Sequence, residues 1–230
     1  MQSYKCVVDL LIIMDATSST QSYIDEYKQH ALNMNDEIIE ALKEKSRDVD
    51  EIHVKVIVFR DLYVDQEKAI EESPVYILPR DSEKYKAFLD NIESAGGGSS
   101  AESGLEGLAY GLKNMTWNKT GNKHRQICLF YSDDESHPFE KSKNGKDKYY
   151  PEGMPNNLEE LSDWIESKQS RLIKNGFSIK DFRCFMFVPK VYPYKEMKEW
   201  SGFFIIEQEQ GKGLENFQFK VVTEAISASF

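Results

Sequence analysis

The strongest constraint on the fold is an apolar run near the N-terminus that stops abruptly at an acidic residue. Residues 6–15 read CVVDLLIIMD, and a cluster of hydroxyl side chains follows at residues 17–20. A run of this length, rich in β-branched residues, predicts a strand that is buried on both faces, as in the middle of a parallel sheet. Asp15 is then at the carboxyl end of the strand, which is the edge where open α/β sheets bind ligands.

Three oxygen-bearing side chains alternate along the loop after this strand, namely Asp15, Thr17 and Ser19. Mg²⁺ and Mn²⁺ prefer oxygen ligands, so this loop provides about half of a metal site. The same residue types also cap the first turn of a helix by accepting hydrogen bonds from free backbone amides. The three residues alone favour the helix cap, and the metal interpretation depends on the other loops.

Two stretches far along the chain could supply further oxygen ligands to the same site. Residues 95–103 read AGGGSSAES, a glycine-rich turn that carries Ser99 and Ser100 just before a helical pattern. Residues 127–137 read ICLFYSDDESH, a second buried-strand pattern that leads to Asp133. We expect both stretches to meet the first loop at the same edge of the sheet.

These three stretches, in this order, resemble the von Willebrand factor A (vWA) domain and its metal-ion-dependent adhesion site. The first loop matches the Asp-x-Ser/Thr-x-Ser motif of that family, and Ser100, or else Ser99, stands where the family has a threonine after Gly-Gly. The resemblance covers nearly the whole chain, and it is closer to intracellular members with GGG-x-x-x-E-S loops than to integrin-type domains. It implies that Mg²⁺ or Mn²⁺ is held by Asp15, Thr17, Ser19, Ser100 and Asp133.

Further side chains are expected around the ion, where a partner would contact the domain. Asp61 follows the second predicted strand, and two more candidates follow Asp133 directly. The region 139–157 loses all periodicity, which predicts a long loop above the metal that contacts a partner or else a mobile insertion. The residues expected on this rim are Asp61, Ser99, Asp134, His137, Tyr149 and Tyr150, with Met154 as a further partner contact.

Strands and helices alternate along the rest of the chain. Strands are predicted at 52–59, 74–78, 125–132, 182–188 and 202–206, and helices at 20–45, 82–93, 101–115, 158–174 and 214–228, with a helical turn at 195–200. Prolines beside residues 74–78 favour an edge strand, which is antiparallel in the resembling family. The pattern predicts one α/β domain over residues 1–230, with a doubly wound, mostly parallel sheet, one antiparallel edge strand and helices on both faces, a Rossmann-like vWA fold.

Composition narrows the possible partners and location. The formal net charge of -10 disfavours nucleic acid, which requires a basic surface. No apolar run has the length of a membrane span, and the N-terminus lacks a signal-peptide pattern. Cys6, Cys128 and Cys184 are few and widely spaced, which argues against a disulfide framework. We expect a cytoplasmic protein with no nucleic-acid or membrane partner.

The expected function is a binding module and not an enzyme. In the resembling family, the metal ion completes its coordination with a Glu or Asp of a protein partner, commonly within a multiprotein assembly, so no small-molecule substrate is expected. The first alternative is a metal-dependent hydrolase or phosphotransferase that uses Asp15, although Thr17 occupies the place of the second aspartate in haloacid-dehalogenase motifs. The second alternative is a structural vWA domain with an unoccupied site.

Overall fold

A computed structural model describes residues 6–44, 49–98, 101–118, 123–139, 148–167 and 171–210 of the chain. In chain order, the strands are β1 (Cys6–Asp15), β2 (Val49–Phe59), β3 (Ile70–Glu72), β4 (Tyr76–Leu78), β5 (Ala101–Glu102), β6 (Lys123–Tyr131), β7 (Glu135–Ser136), β8 (Phe182–Pro189) and β9 (Phe203–Gln208). The α-helices are α1 (Ile24–Glu44), α2 (Ser82–Asp90), α3 (Gly104–Asn114), α4 (Leu158–Glu166) and α5 (Arg171–Lys174). Short 3₁₀ helices occupy Ser18–Ser22, Gln66–Lys68 and Glu196–Glu199.

The main sheet has the strand order β3-β2-β1-β6-β8-β9. Strand β1 lies at its centre, and the chain adds strands first on the β2 side and then on the β6 side, so the strand order reverses there. Strand β1 pairs in parallel with β2 on one side and with β6 on the other, and β8 and β9 continue in parallel beyond β6. The predicted antiparallel edge is present as two short segments, since β3 and β4 both pair antiparallel with β2. The reversal lies between β1 and β6, and in folds of this type ligands bind beyond the carboxyl ends of the strands at such a reversal.

Strand β1 is buried on both faces, as its apolar run predicts. Its alternate residues Leu10 and Ile12 belong to the hydrophobic core beneath α1 and α2, whereas Leu11 and Ile13 belong to the core beneath α3, α4 and α5. All four side chains have no accessible surface. Because helices cover the sheet on both sides, packing holds the carboxyl end of β1, and with it Asp15, in place.

The structure corrects two details of the predicted elements. The helix predicted over 158–174 ends at Glu166, because Ser167 adopts an extended backbone (φ -75°, ψ 131°). Met154, predicted as a partner contact, is only 6% exposed and packs in the core beside α4. The helix predicted over 214–228 lies outside the described residues.

No helix within the described residues is both long and apolar enough to cross a membrane.

Candidate metal site

The first loop folds back onto the end of β1 through hydrogen bonds to Asp15. The backbone amide of Thr17 donates to Asp15 Oδ1 at 3.0 Å, and the Thr17 hydroxyl donates to the same oxygen at 2.7 Å. Thr17 directly precedes the 3₁₀ helix Ser18–Ser22, yet its side chain makes no capping hydrogen bond. The hydroxyl therefore serves the carboxylate and not the helix start, which counts against the helix-cap interpretation of this loop.

The third predicted loop meets the first at this point. The pairing of Met14 with Tyr131 brings the next residue, Ser132, beside Asp15, and the Ser132 hydroxyl donates to Asp15 Oδ2 at 2.9 Å. On the other side, Ser19 Oγ lies 2.9 Å from Thr17 Oγ1.

The Ser19 hydroxyl also donates to Asp133 Oδ1 at 3.2 Å. The four side chains of Asp15, Thr17, Ser19 and Asp133 thus form one hydrogen-bonded chain, which we call the loop network. It contains four of the five predicted metal ligands. Ser19, which lies between Thr17 and Asp133 in this chain, is exposed, so solvent reaches the network there. The fifth predicted ligand, Ser100, and its alternative Ser99 lie outside the described residues.

The glycine-rich loop packs against the first loop and leaves space only for glycine. The amide of Ala95 donates to the carbonyl of Ala16 at 2.9 Å. Gly97 has a φ of +76°, a conformation that side chains disfavour. A Cβ on Gly97 would lie 2.7 Å from Glu102 Oε1 and 3.1 Å from Thr17 Cβ. The sequence therefore needs glycine here to bring the second loop up to the first.

The residues predicted on the partner-binding rim differ in their accessibility. Asp61 and His137 are only 2% and 3% exposed, with His137 Nε2 at 3.8 Å from Asp61 Oδ2. They therefore lie beneath the rim. Asp134 is half-buried and accepts a hydrogen bond from Gln210 Nε2 at 2.8 Å. Tyr149 and Tyr150 are half-buried, and the Tyr150 hydroxyl donates to Glu106 of α3 at 3.2 Å.

The electrostatics of this edge are dominated by buried carboxylates. Burial, followed by the negative charge of Asp133, raises the pKa of Asp15 to about 7. Burial, followed by the charge of Asp15, raises the pKa of Glu102 to about 9. Burial also raises the pKa of Asp134. A bound cation would reverse this balance, because it stabilises the ionised form of every carboxylate around it.

Sequence reasoning missed three residues that organise the site, namely Ser132, Glu102 and Asp65. Asp65 Oδ2 accepts hydrogen bonds from the amides of Asp61 at 3.0 Å and Gly97 at 2.9 Å, which ties the loop after β2 to the glycine loop. Glu102 had a local signal, because it is the acidic residue of the GGG-x-x-x-E-S pattern. Ser132 had a local signal too, because it ends a predicted strand. Asp65 had no local signal, because a carboxylate in a polar loop is common.

The oxygen atoms of the loop network are suitable ligands for a hard divalent cation, although its carboxylates alone do not make a complete metal site. Within the described ranges, no group of three His, Cys, Asp or Glu side chains is arranged to hold an ion. The network instead combines two carboxylates with two hydroxyls, which is a donor set that Mg²⁺ and Mn²⁺ accept. In addition, Glu102 Oε2 is buried without a hydrogen-bond partner. The residues present therefore fit the ion implied by the vWA resemblance.

Comparison with solved structures identifies the fold. The chain is similar to proximal thread matrix protein 1 (PTMP1) from the mussel byssus, with a TM-score of 0.53 and 11% identity over 99% of this chain and 49% of that chain. The fold is vWA-like. At this identity the likeness shows the fold alone, and our chain spans about half the length of that protein.

Other comparisons add no family assignment. The chain is also similar to the pilus adhesin SpaC from Lactobacillus rhamnosus GG, with a TM-score of 0.40 and 14% identity over 58% of this chain and 15% of that chain. That score is too low to carry an argument. No protein-family model and no curated protein matches the chain.

Proposed function

We propose that this protein is a divalent-metal-dependent protein-binding module, in which Mg²⁺ or Mn²⁺ at the loop network coordinates a Glu or Asp of a partner. The observation that carries the proposal is the hydrogen bond from Ser19 to Asp133, which joins loops 114 residues apart at the carboxyl ends of β1 and β6. It makes hydroxyl and carboxylate oxygens from two loops converge on one region, as a hard cation requires.

The charge of the site supports the same proposal. Asp15 has no accessible surface, and Asp133 is only 4% exposed. The negative charge of Asp133 disfavours the ionised form of Asp15, and a divalent cation between the loops would offset that repulsion. The fold therefore keeps at this edge a negative charge for which a metal ion is a natural counterion.

The residues of the loop network would have different roles in binding the ion. Asp15, Thr17, Ser19 and Asp133 would hold the ion, together with Ser100 from the glycine loop. Asp15 also orients Thr17 through two hydrogen bonds. The ion, when bound, supplies a positive centre for an incoming carboxylate. That attraction is strong once the joint excludes water. Recognition would then depend on the divalent ion, as expected of a switchable contact in a multiprotein assembly.

Thermal denaturation tests the metal part of the proposal. A ligand that binds only the folded state stabilises it, by about 2.7 kcal/mol at 100 times its Kd. We expect Mg²⁺ or Mn²⁺ to raise the Tm of the wild-type protein above its value in EDTA, and Asp15→Ala to abolish this gain. Asp25→Ala is the matched control, because the Asp25 side chain is 93% exposed on α1. Equal wild-type Tm values in all three conditions would overturn the proposed ion.

Peptide display tests the partner part. We expect a random peptide library, selected on the wild-type protein in Mg²⁺ and eluted with EDTA, to be enriched in peptides with a fixed Glu or Asp. Replacement of that residue by Gln or Asn should abolish binding, as should Asp15→Ala. Peptides that bind equally well in EDTA, or that tolerate loss of the acidic residue, would contradict metal-mediated recognition.

A further inference from the structure

A second cavity lies beside the glycine-rich loop, and no residue of the loop network borders it. We call it the side cavity. Its walls come from residues 60–71, after β2, and from residues 93–96, which lead into the glycine-rich loop. Its volume is about 360 Å³, and small-molecule sites commonly have volumes of about 300–1,000 Å³. The side cavity is therefore large enough for a small ligand of its own.

Arg60 is the deeply buried charged residue of this cavity. It is only 7% exposed. Its guanidinium donates to two backbone carbonyls, from Nη1 to Lys68 at 3.1 Å and from Nη2 to Glu93 at 2.7 Å. Among the described residues, Arg60 Nε is buried without a hydrogen-bond partner.

The positive charge of Arg60 also lacks a close counterion in the part of the chain that the structure describes. Its Nη1 lies 3.7 Å from Glu71 Oε2, which is beyond hydrogen-bond distance, and the Glu71 side chain is 49% exposed. Buried guanidinium groups are usually paired, and they match a carboxylate or phosphate with two parallel hydrogen bonds. Arg60 is therefore suited to an anionic group that enters the side cavity.

The open side of the cavity has the opposite charge. Glu67, Glu71 and Glu93 border it and are exposed, as is Lys68. Asp65 also borders the cavity, but its Oδ2 already accepts hydrogen bonds from two backbone amides. With two basic and four acidic side chains, the lining has a net charge of -2. These glutamates repel a simple anion, and a simple cation provides no acceptor for Arg60.

We propose that the side cavity binds a small zwitterion of the amino-acid class, with its carboxylate on Arg60 and its ammonium group among Glu67, Glu71 and Glu93. Ile70 and Ala95, which also border the cavity, provide apolar surface for a short hydrocarbon side chain. This site is separate from the proposed metal site and does not depend on it. The competing explanation is that Arg60 only ties two segments together through the carbonyls of Lys68 and Glu93.

Saturation-transfer difference NMR in metal-free buffer tests the proposal. The probes are four free amino acids, namely glycine, L-alanine, L-valine and L-leucine. We expect at least one of them to bind the wild-type protein saturably at millimolar concentration. The best binder is then compared with the corresponding amine, which lacks the carboxylate, and with the corresponding acid, which lacks the ammonium group. We expect each to bind about tenfold more weakly, because each loses one set of charge-assisted hydrogen bonds.

Two variants distinguish a ligand site from a structural role of Arg60. Glu67→Gln/Glu71→Gln removes two exposed charges and keeps the shape of the cavity. We expect it to weaken binding of the amino acid and to strengthen binding of the acid, because the repulsion of a simple anion is reduced. Arg60→Lys keeps the charge but not the planar fork, and should weaken both. Glu83→Gln is the control, because Glu83 is exposed on α2 and does not border the side cavity.

Three results would overturn the inference: no binding of any of the four amino acids, equal binding of the amino acid and either analogue, or unchanged affinities in Glu67→Gln/Glu71→Gln. Folding of each variant is checked by its Tm, and the glutamate variant decides the question if Arg60→Lys does not fold. Because these titrations contain no metal ion, their outcome is independent of the effect of Mg²⁺ on the Tm, which tests the proposed function.

Discussion

Two buried aspartates of β1, Asp9 and Asp15, are balanced in opposite ways. Neither has accessible surface. Asp9 accepts hydrogen bonds from the amide and the side chain of Asn118 at 2.6 and 2.9 Å, and His53 Nδ1 lies 3.5 Å from its Oδ1. The hydrogen bond to Asp9 is also the main reason that the pKa of His53 is raised.

Asp15, at the other end of the same strand, has different neighbours. Its hydrogen bonds come from the uncharged groups of Thr17 and Ser132, and the charge that acts on it most is that of Asp133. At Asp9 the chain therefore provides its own basic partner, whereas at Asp15 the charges that crowd the carboxylate have the same sign. The difference indicates that a buried carboxylate near the amino end of β1 is structural, and that the one at the carboxyl end is suited to a cation from solution.

Among substitutions, the largest expected loss of stability is at the structural end, near the start of β1. Asp9→Ala leaves the donors of His53 and Asn118 without their acceptor, and each buried polar group left unsatisfied costs about 1–3 kcal/mol. We expect urea denaturation to show that loss equally in EDTA and in Mg²⁺. A loss below about 1 kcal/mol, or one that Mg²⁺ restores, would break the contrast between the two ends.

At Asp15 we expect a substitution to change the free energy of unfolding in the opposite direction. At pH 8 and in EDTA, the ionised Asp15 is crowded by Asp133, whereas Asp15→Asn keeps the shape and an oxygen that accepts from Thr17. We expect Asp15→Asn to be more stable than the wild type in EDTA, by an amount on the order of 1–3 kcal/mol, since one pKa unit corresponds to about 1.4 kcal/mol. In Mg²⁺ the wild type should be the more stable of the two proteins. If Asp15→Asn is the less stable protein in EDTA, then Asp15 is as structural as Asp9.

The test that sharpens the comparison most is the pH dependence of stability. Asp15 and Glu102 have folded-state pKa values of about 7 and about 9, above their ordinary values of 3.8 and 4.5. The folded protein thus retains protons that the unfolded chain has released, so stability in EDTA falls as pH rises from about 4 to 9.

His53 contributes in the same direction, because its raised pKa means that its stabilising charge is lost as pH rises. Saturating Mg²⁺ should remove the Asp15 and Glu102 contribution and leave that of His53. Tm values between pH 5 and 8.5, with EDTA or Mg²⁺, measure both slopes. Identical slopes in the two conditions would mean that the ion does not act on these carboxylates.

Much of this architecture is predictable from local patterns. The run of residues 6–15 predicts a strand buried on both faces, and parallel strands that end in Asp15 and near Asp133 predict a shared edge. Both predictions depend on periodicity and strand direction, which are properties of short stretches of sequence.

The side-chain partnerships were not predictable. Ser132 and Asp15 are 117 residues apart, and Asn118 and Asp9 are 109 apart, so no local pattern links them. The direction of the Glu102 side chain depends on the pairing of β5 with β7, which are two residues each and too short to show a period. Ser99 and Ser100 fall outside the described residues, so their place in the site stays a prediction.

A crystal structure of the protein soaked in Mn²⁺, with anomalous diffraction data, tests the central claim most directly. We predict an anomalous peak among the oxygens of Asp15, Thr17, Ser19 and Asp133, and none near Asp9. A protein that shows no peak at the loop network at saturating Mn²⁺, or that binds the ion only elsewhere, would contradict the account.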